Sequence, residues 1–197
     1  EQFIVDTMKG FVAQQITFPA LFIIVDDGST DQTAIKIQQF LNENFDSIST
    51  ENDSFGKVAH ARHKDNRNCF FTTILLNENH YSIKKSKYPY IKPWEKDCKY
   101  IAFCEGDDFW TNPHKLQKQV DFLETNPDYN LACHNWNVLK DDEILPSPVN
   151  GLYTKPISFT FATLPWVWIT KTLTMVYRKS SVDQDSFSKF KYSRDVH

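Results

Sequence analysis

Glycine is scarce in this sequence, with five residues among 197. So few glycines exclude a glycine-rich phosphate loop, which needs several of them close together. Long apolar stretches are missing too, because no uninterrupted run approaches the roughly 18 residues of a membrane span. The formal charge is -3, whereas a duplex-binding protein would carry a strongly basic face, so we expect no nucleic-acid partner. With 41% apolar residues, the composition indicates a soluble globular domain.

Closely spaced cysteine pairs of the CxxC type are also absent. The widely separated cysteines are interpreted as reduced thiols of a cytosolic protein: Cys69, Cys98, Cys104 and Cys133. No charged-then-apolar leader follows Glu1, so no signal peptide is visible. The chain also ends at His197 without a terminating signal, and we therefore expect a fragment of a longer protein.

What the sequence does contain is an alternation of helical and strand-like patterns. Helical spacing predicts helices over residues 1–15, from Thr33 to Asn44 and after Pro113. Short apolar runs predict strands at Leu21–Val25, Cys69–Leu76, Tyr100–Cys104, Leu131–Asn135 and Leu173–Tyr177. Ser29 and Gln32 have capping-box spacing before the second helix. The alternation predicts an α/β fold with a mainly parallel central sheet.

Two segments are polar and receive no element. Residues 46–67 are weakly patterned, and we expect His60 and His63 within them to occupy surface or loop positions. Residues 80–99 carry six Lys against two acids, which suits contact with phosphates or an anionic membrane; a solvated, flexible segment is the simpler interpretation. His134, after a predicted strand, is interpreted as a satisfied core histidine.

Carboxylates follow two of the predicted strands. Asp26 and Asp27 precede Gly28, and a carboxylate there can accept hydrogen bonds from a nucleobase or a ribose. The alternative is ordinary turn and helix-cap chemistry, which uses the same residue types. Ligands of α/β sheets bind at the carboxyl ends of strands, which favours the first interpretation.

The second acidic cluster follows the strand predicted at Tyr100–Cys104. Its sequence is Glu105-Gly106-Asp107-Asp108, with three carboxylates in four residues. Such groups repel one another unless a cation compensates them, and hard oxygen ligands suit Mg²⁺ or Mn²⁺. A solvated acidic turn before the next helix is the alternative. Two acidic strand ends in one short chain indicate a nucleotide and metal site.

Three motifs carry a family resemblance: DDGSTD after an apolar strand, YIAFCEGDDFW some eighty residues later, and the NPxKLQxQVDFLE helix. Together they resemble family 2 glycosyltransferases with the GT-A fold, of the bacterial polysaccharide-biosynthesis type. The resemblance implies a single domain over 1–197 with a Rossmann-like sheet flanked by helices. Its first strand would precede Glu1. Residues 1–108 would form the nucleotide-binding half and 109–197 the acceptor-binding half.

The resemblance also implies roles for individual residues. Four would contact the nucleotide-sugar: Asp26, Asp27, Asn79 and Glu105. Asp107 would ligate Mn²⁺ or Mg²⁺. The segment FKYSRDVH is similar to the one that carries the catalytic base in this family, which implies that role for Asp195. An ion pair with Arg194 is the structural alternative.

The expected activity is therefore metal-dependent, inverting transfer of a sugar from a nucleotide diphosphate, UDP by default, to an acceptor hydroxyl. The acceptor would be a saccharide or lipid-linked saccharide of surface polysaccharide, in the cytoplasm or at the inner face of the membrane. Two rivals are a non-catalytic nucleotide-sugar or carbohydrate-binding module and a sugar-nucleotide nucleotidyltransferase. The scarcity of glycine argues against the second rival.

Overall fold

The computed structural model describes residues 2–147, 151, 155–160 and 170–182. The chain divides into two compact units. The first comprises Glu1–Asp97 with Cys104–Lys118, and the second comprises Cys98–Phe103 with Gln119–His197. The predicted catalytic residue Asp195 lies outside the described residues.

The first unit contains most of the secondary structure. Its elements in chain order are α1 (Ile4–Val12), β1 (Ala20–Asp26), α2 (Thr33–Asn44), β2 (Phe45–Asp53), β3 (Gly56–His63), β4 (Cys69–Leu76), α3 (Tyr88–Glu95) and the first residues of α4 (Lys115–Thr125). The predictions of α1, β1, α2 and β4 are confirmed, because long apolar runs and helical stripes specify these elements locally.

The sheet of this unit is mixed, with the order β1-β4-β3-β2. Only β1 and β4 run parallel, with Ala20 opposite Cys69 and Asp26 opposite Leu75. The β4–β3 and β3–β2 pairs are antiparallel. The prediction of a mainly parallel, Rossmann-like sheet is therefore wrong. A continuous apolar run indicates that both faces of a strand are buried by neighbouring layers, and this burial does not depend on whether the adjacent strands run parallel or antiparallel.

An aromatic cluster forms the core between the sheet and α1. Phe11 of α1 stacks on Phe22 of β1 at 4.8 Å and meets Trp110 edge-on at 4.9 Å, measured between ring centroids. Phe45 lies 4.5 Å from Phe71 on the same face. Trp110 is 7% exposed, so the aromatic contacts fix the chain just after the Glu105–Asp108 acids against α1.

The short helix α3 covers a second cluster. Tyr90 and Trp94 of α3 pack against the buried residues Val58, Ile74 and Leu76 of the sheet. This helix was not predicted, because Pro89 and Pro93 both lie within Tyr88–Glu95 and proline disfavours a helix interior. The prediction of a solvated, flexible segment over 80–99 is wrong for this part of it.

The second unit is built from short antiparallel strands. They are β5 (Tyr100–Ala102), β6 (Leu131–Ala132), β7 (Asn137–Lys140), β8 (Glu143–Pro146) and β9 (Val176–Arg178), in a β5-β9-β6 sheet and a β7-β8 hairpin. The buried side chain of Gln119 in α4 donates to the carbonyls of Ala132 and Thr174, which ties helix to sheet. No helix within the described residues is long and apolar enough to cross a bilayer.

Several local predictions are corrected. The cap of α2 is Gln32 and makes no side-chain capping bond, so Ser29 does not act as the cap. The segment predicted as a strand at Leu173–Tyr177 begins instead with a 3₁₀ turn, Thr172–Thr174. His60 and His63 lie on β3 rather than in a loop: His60 contacts Thr72 and Trp94, and His63 is 9% exposed.

Candidate functional site

The turn that follows β1 is held by a buried carboxylate and packs closely against another segment of backbone. Asp26 is 5% exposed, and its Oδ2 accepts a hydrogen bond from the Ser29 amide at 3.3 Å. Gly28 has a φ of 67°, and a Cβ added there would lie 2.5 Å from the carbonyl carbon of Glu78. Glycine is required at this position, because the turn lies directly against the backbone at 78–79, just past β4.

The carboxylate of Asp27 holds the next segment of chain. Oδ1 accepts from the His80 amide at 2.9 Å, and Oδ2 accepts from the Tyr81 amide at 3.1 Å and from Lys87 Nζ at 2.8 Å. Burial alone would raise the pKa of Asp27, but the hydrogen bonds from Lys87, His80 and Tyr81 outweigh it and lower this pKa. Asp27 is therefore ionised and bound to protein donors.

Asn79 shapes the turn beside this carboxylate. Its Oδ1 accepts from the Ser82 amide and its carbonyl accepts from the Ser82 hydroxyl, both at 2.8 Å. His80 is fully buried, with Nε2 3.5 Å from Glu78 Oε1. The structure thus brings Asp27 and Asn79 together through residues 80–82, and Asn79 has a local structural role there.

The second group of predicted site residues forms a compact acidic loop, residues 105–108. One carboxylate oxygen from each of Glu105, Asp107 and Asp108 lies within 4.8 Å of the others. The loop is held by the Asp108 amide, which donates to the Glu105 carbonyl at 3.1 Å. The Thr7 hydroxyl of α1 donates to the Asp108 carbonyl at 2.6 Å. Backbone contacts therefore place the loop, and the carboxylates of Glu105 and Asp107 are exposed.

The donor set of the acidic loop suits a hard divalent cation. Its side-chain donors are all carboxylate oxygens, which Mg²⁺ and Mn²⁺ prefer. Glu105 and Asp107 are exposed, and neither is paired with a Lys, Arg or His side chain in the described part of the chain. Their mutual repulsion would be relieved by a bound cation.

Two buried titratable groups of the first unit, Cys104 and Lys115, have strongly shifted pKa values. Burial, reinforced by Asp108, raises the pKa of Cys104 to about 12. Burial lowers the pKa of Lys115 to about 8, although Cys104 opposes the shift. Lys115 Nζ lies 4.1 Å from the centroid of the Trp110 ring and donates no hydrogen bond within the described residues. Cys104 and Lys115 are therefore a desolvated thiol and a desolvated ammonium, and the Cys104 Sγ lies 3.5 Å from the carbonyl oxygen of Asp108 in the loop.

Three of these residues were not predicted from the sequence: Lys87, His80 and Lys115. Lys87 is one of six lysines in residues 80–99, and no pattern distinguishes it from the others, although a carboxylate at a strand end needs a cation or amide donors. His80 had no pattern around it. Lys115 precedes the buried Leu116 and is followed four residues later by the buried Gln119. This helical spacing could have predicted that Lys115 lies on the inner face of α4.

A concavity of the first unit lies away from these residues. It measures about 630 Å³ and is bordered by the end of α1 and by His63, Asp65 and His114. The predicted site residues Asp26, Asp27, Asn79, Glu105 and Asp107 do not line it. The case for a functional site therefore rests on side-chain chemistry rather than on cavity size.

Comparisons with known proteins give relatives but no activity. No protein-family model matches the chain, and no solved structure matches it. Proteins from Mycobacterium bovis and from two strains of Mycobacterium tuberculosis, each described as uncharacterized, are 31% identical over 142 residues. The match covers 72% of this chain and 34% of each relative, so the chain spans about a third of the length of the curated relatives it matches.

Proposed function

We propose that this chain is the nucleotide- and metal-binding part of a metal-dependent, inverting glycosyltransferase. The observation that carries the proposal is the acidic loop, whose three carboxylates converge within 4.8 Å in the same unit as the Asp26–Asp27 turn. The motifs that resemble family 2 glycosyltransferases lend further support. The proposal rests on these residues and not on the arrangement of the sheet.

Glu105, Asp107 and Asp108 would hold Mn²⁺ or Mg²⁺. When bound, such an ion supplies Lewis-acid and electrostatic stabilisation of the negative charge on a departing diphosphate. The residues themselves contribute a fixed set of oxygen donors, because the Thr7 and Asp108 backbone contacts hold the loop before any ligand arrives. Such preorganisation reduces the entropy lost on binding.

The turn after β1 would bind the nucleoside of a nucleotide-sugar, most simply a UDP-sugar. A carboxylate offers about four acceptor positions, and the protein donors to Asp27 occupy three of them. Oδ1 accepts one bond and retains room for a ribose hydroxyl or a nucleobase N–H. Asp195 would take the proton of the acceptor hydroxyl as general base, as the resemblance implies.

The acceptor would be a saccharide or lipid-linked saccharide of surface polysaccharide, and the enzyme would act in the cytoplasm or at the inner face of the membrane. The resemblance to the bacterial polysaccharide type supports this assignment. Transfer of a sugar to such an acceptor requires an activated donor such as a UDP-sugar.

Calorimetric titration tests the nucleotide and metal part of the proposal. We expect UDP to bind in the presence of Mn²⁺ and to lose most of its affinity in EDTA or in Asp107→Ala. Asp128→Ala removes an exposed carboxylate from the other unit and serves as the matched control, with unchanged affinity. Equal affinity with EDTA, or in Asp107→Ala, would contradict the metal role.

A non-catalytic nucleotide-sugar-binding module is the second candidate, favoured by the protein donors that already hold Asp27. Transfer or hydrolysis of a UDP-sugar distinguishes the two. General-base assistance is worth about 10²–10⁴ in rate, so Asp195→Asn should lower kcat by that range with donor affinity retained. Donor binding without transfer or hydrolysis in the wild-type protein would favour the module.

A further inference from the structure

A surface of exposed apolar and cationic side chains extends from the turn after β4 onto α3. We call it the lysine–aromatic surface and define it as Tyr81, Ile83, Lys84, Tyr88 and Lys92. Tyr81 is 70% exposed, Ile83 53% and Tyr88 39%. Large side chains at such exposure, close together in the chain, favour an interaction surface.

The apex of this surface is a hydrogen-bonded turn. The Lys84 amide donates to the Tyr81 carbonyl at 3.2 Å, and the Lys85 amide donates to the His80 carbonyl at 2.8 Å. Lys84 has a φ of 55°, which closes the turn. Asp27 holds its base through the His80 and Tyr81 amides. The backbone therefore holds Tyr81 and Ile83 outward in a defined conformation.

The outer face of α3 continues the surface. Tyr90 and Trp94, four residues apart, pack against the sheet. Tyr88 and Lys92 each differ by two positions from one of these inner residues, a rotation of about 200° around the helix. They therefore lie on the opposite face, where Lys92 is exposed to solvent.

Charge distinguishes this surface from the rest of the molecule. The chain carries a net charge of -3, yet residues 80–99 carry six Lys against two acids. Lys85 pairs with Glu78 and Lys87 with Asp27, so these two lysines are internally compensated. Within the described residues, Lys84 and Lys92 are not paired with a carboxylate. These two cations are available to an external anion.

We propose that the lysine–aromatic surface docks on a bilayer that contains anionic phospholipid. Tyr81 and Ile83 would enter the headgroup region, where aromatic and aliphatic side chains partition favourably, while Lys84 and Lys92 contact lipid phosphates. Charge complementarity favours this partner, because the uncompensated cations Lys84 and Lys92 accompany these exposed apolar side chains, and the Glu95 carboxylate of α3 accepts a hydrogen bond from the Tyr88 hydroxyl. The inference stands on this surface alone and does not depend on the proposed activity.

Sedimentation with lipid vesicles tests the proposal on the 197-residue chain. We expect binding to vesicles of phosphatidylcholine mixed with phosphatidylglycerol and little binding to phosphatidylcholine alone. Ile83→Ser should weaken binding by about tenfold, because it removes an aliphatic side chain that would be buried in the headgroup region. Ile35→Ser is the matched control, since Ile35 is 56% exposed on α2, and it should bind as the wild type does.

The lysines provide an independent test of the electrostatic part. Lys84→Gln and Lys92→Gln should each weaken binding by about fivefold, whereas Lys118→Gln, at an exposed position of α4, should not. Equal binding to neutral vesicles, or equal loss in Ile35→Ser and Ile83→Ser, would overturn the proposal. So would a dimer in solution that Ile83→Ser dissociates, because a second copy would then occupy the surface.

Discussion

The two acidic regions of the first unit look alike in the sequence and differ in the structure. Asp27 follows β1 and receives hydrogen bonds from His80, Tyr81 and Lys87. Glu105 and Asp107 follow β5, are exposed and have no cationic side-chain partner within the described residues. The protein compensates its own charge in the first region and leaves it available in the second.

This difference separates positioning from ligand binding. A carboxylate that already accepts from two amides and an ammonium fixes the backbone around it and gains little from a further cation. Carboxylates that converge without a counter-charge gain most from one. We therefore assign the Asp27 turn a positioning role with one open acceptor position, and the acidic loop the cation.

The largest difference should appear when a methyl group is added to the glycine of each region. Gly28→Ala places Cβ 2.5 Å from the Glu78 carbonyl carbon at a positive φ and should cost about 3 kcal/mol of unfolding free energy. Within the described residues, a Cβ at Gly106→Ala meets only Ile4 Cδ1, at 3.8 Å, and this variant should stay within about 0.5 kcal/mol of wild type. Urea unfolding of both variants measures this, and equal losses would remove the distinction between the regions.

Neutralising one carboxylate in each region should have a smaller effect. Asp27→Asn removes the Lys87 pair and one acceptor, which should cost about 1–3 kcal/mol near neutral pH. The pKa of Asp27 is lowered from 3.8, so its contribution is present above that pH and lost as the pH falls through the lowered value.

The matched variant in the acidic loop is Asp107→Asn, which should leave the urea midpoint unchanged or raise it slightly, because Asp107 is exposed and its neutralisation relieves repulsion within the loop. Urea titrations from neutral pH to below pH 3.8 would show the difference between wild type and Asp27→Asn shrinking. A cost for Asp107→Asn equal to that of Asp27→Asn would mean that both regions are structural.

The smallest effect concerns the buried side chain of Lys115. Its pKa is lowered from 10.5 to about 8, so the unfolded chain binds more protons above pH 8 and stability rises with pH there. Between pH 7 and 8.5 the gain should be about 1 kcal/mol. Lys115→Met keeps the stem on Trp110 and should abolish this rise. Thermal unfolding of both proteins across this window measures it, and parallel pH profiles would show that Lys115 is not desolvated.

The sequence specified local elements better than their pairing. The apolar run Cys69–Leu76 predicts a strand with the observed bounds, but nothing in it distinguishes a parallel from an antiparallel neighbour. The β2–β3 hairpin was missed because Phe45–Asp53 is exposed at most positions and so lacks a core-facing pattern. Both acidic clusters could be predicted from the sequence because each directly follows a short apolar run.

Partners in the candidate site were harder to predict than the acids themselves. Asp27 and Lys87 are 60 residues apart in the chain, and their ion pair depends on the turn at 79–82 and on α3. Prolines at 89 and 93 obscured that helix. Long-range pairing of this kind follows from tertiary structure, which local propensity does not contain.

Titration with Mn²⁺, followed by the electron paramagnetic resonance signal of the free ion, tests the central claim most directly. Wild type, Asp27→Asn and Asp107→Asn are compared at a temperature at which all three are folded. We predict one Mn²⁺ site per chain in the wild type, its retention in Asp27→Asn and its loss in Asp107→Asn. Equal Mn²⁺ binding by wild type and Asp107→Asn, or a loss confined to Asp27→Asn, would contradict the assignment of the cation to the acidic loop.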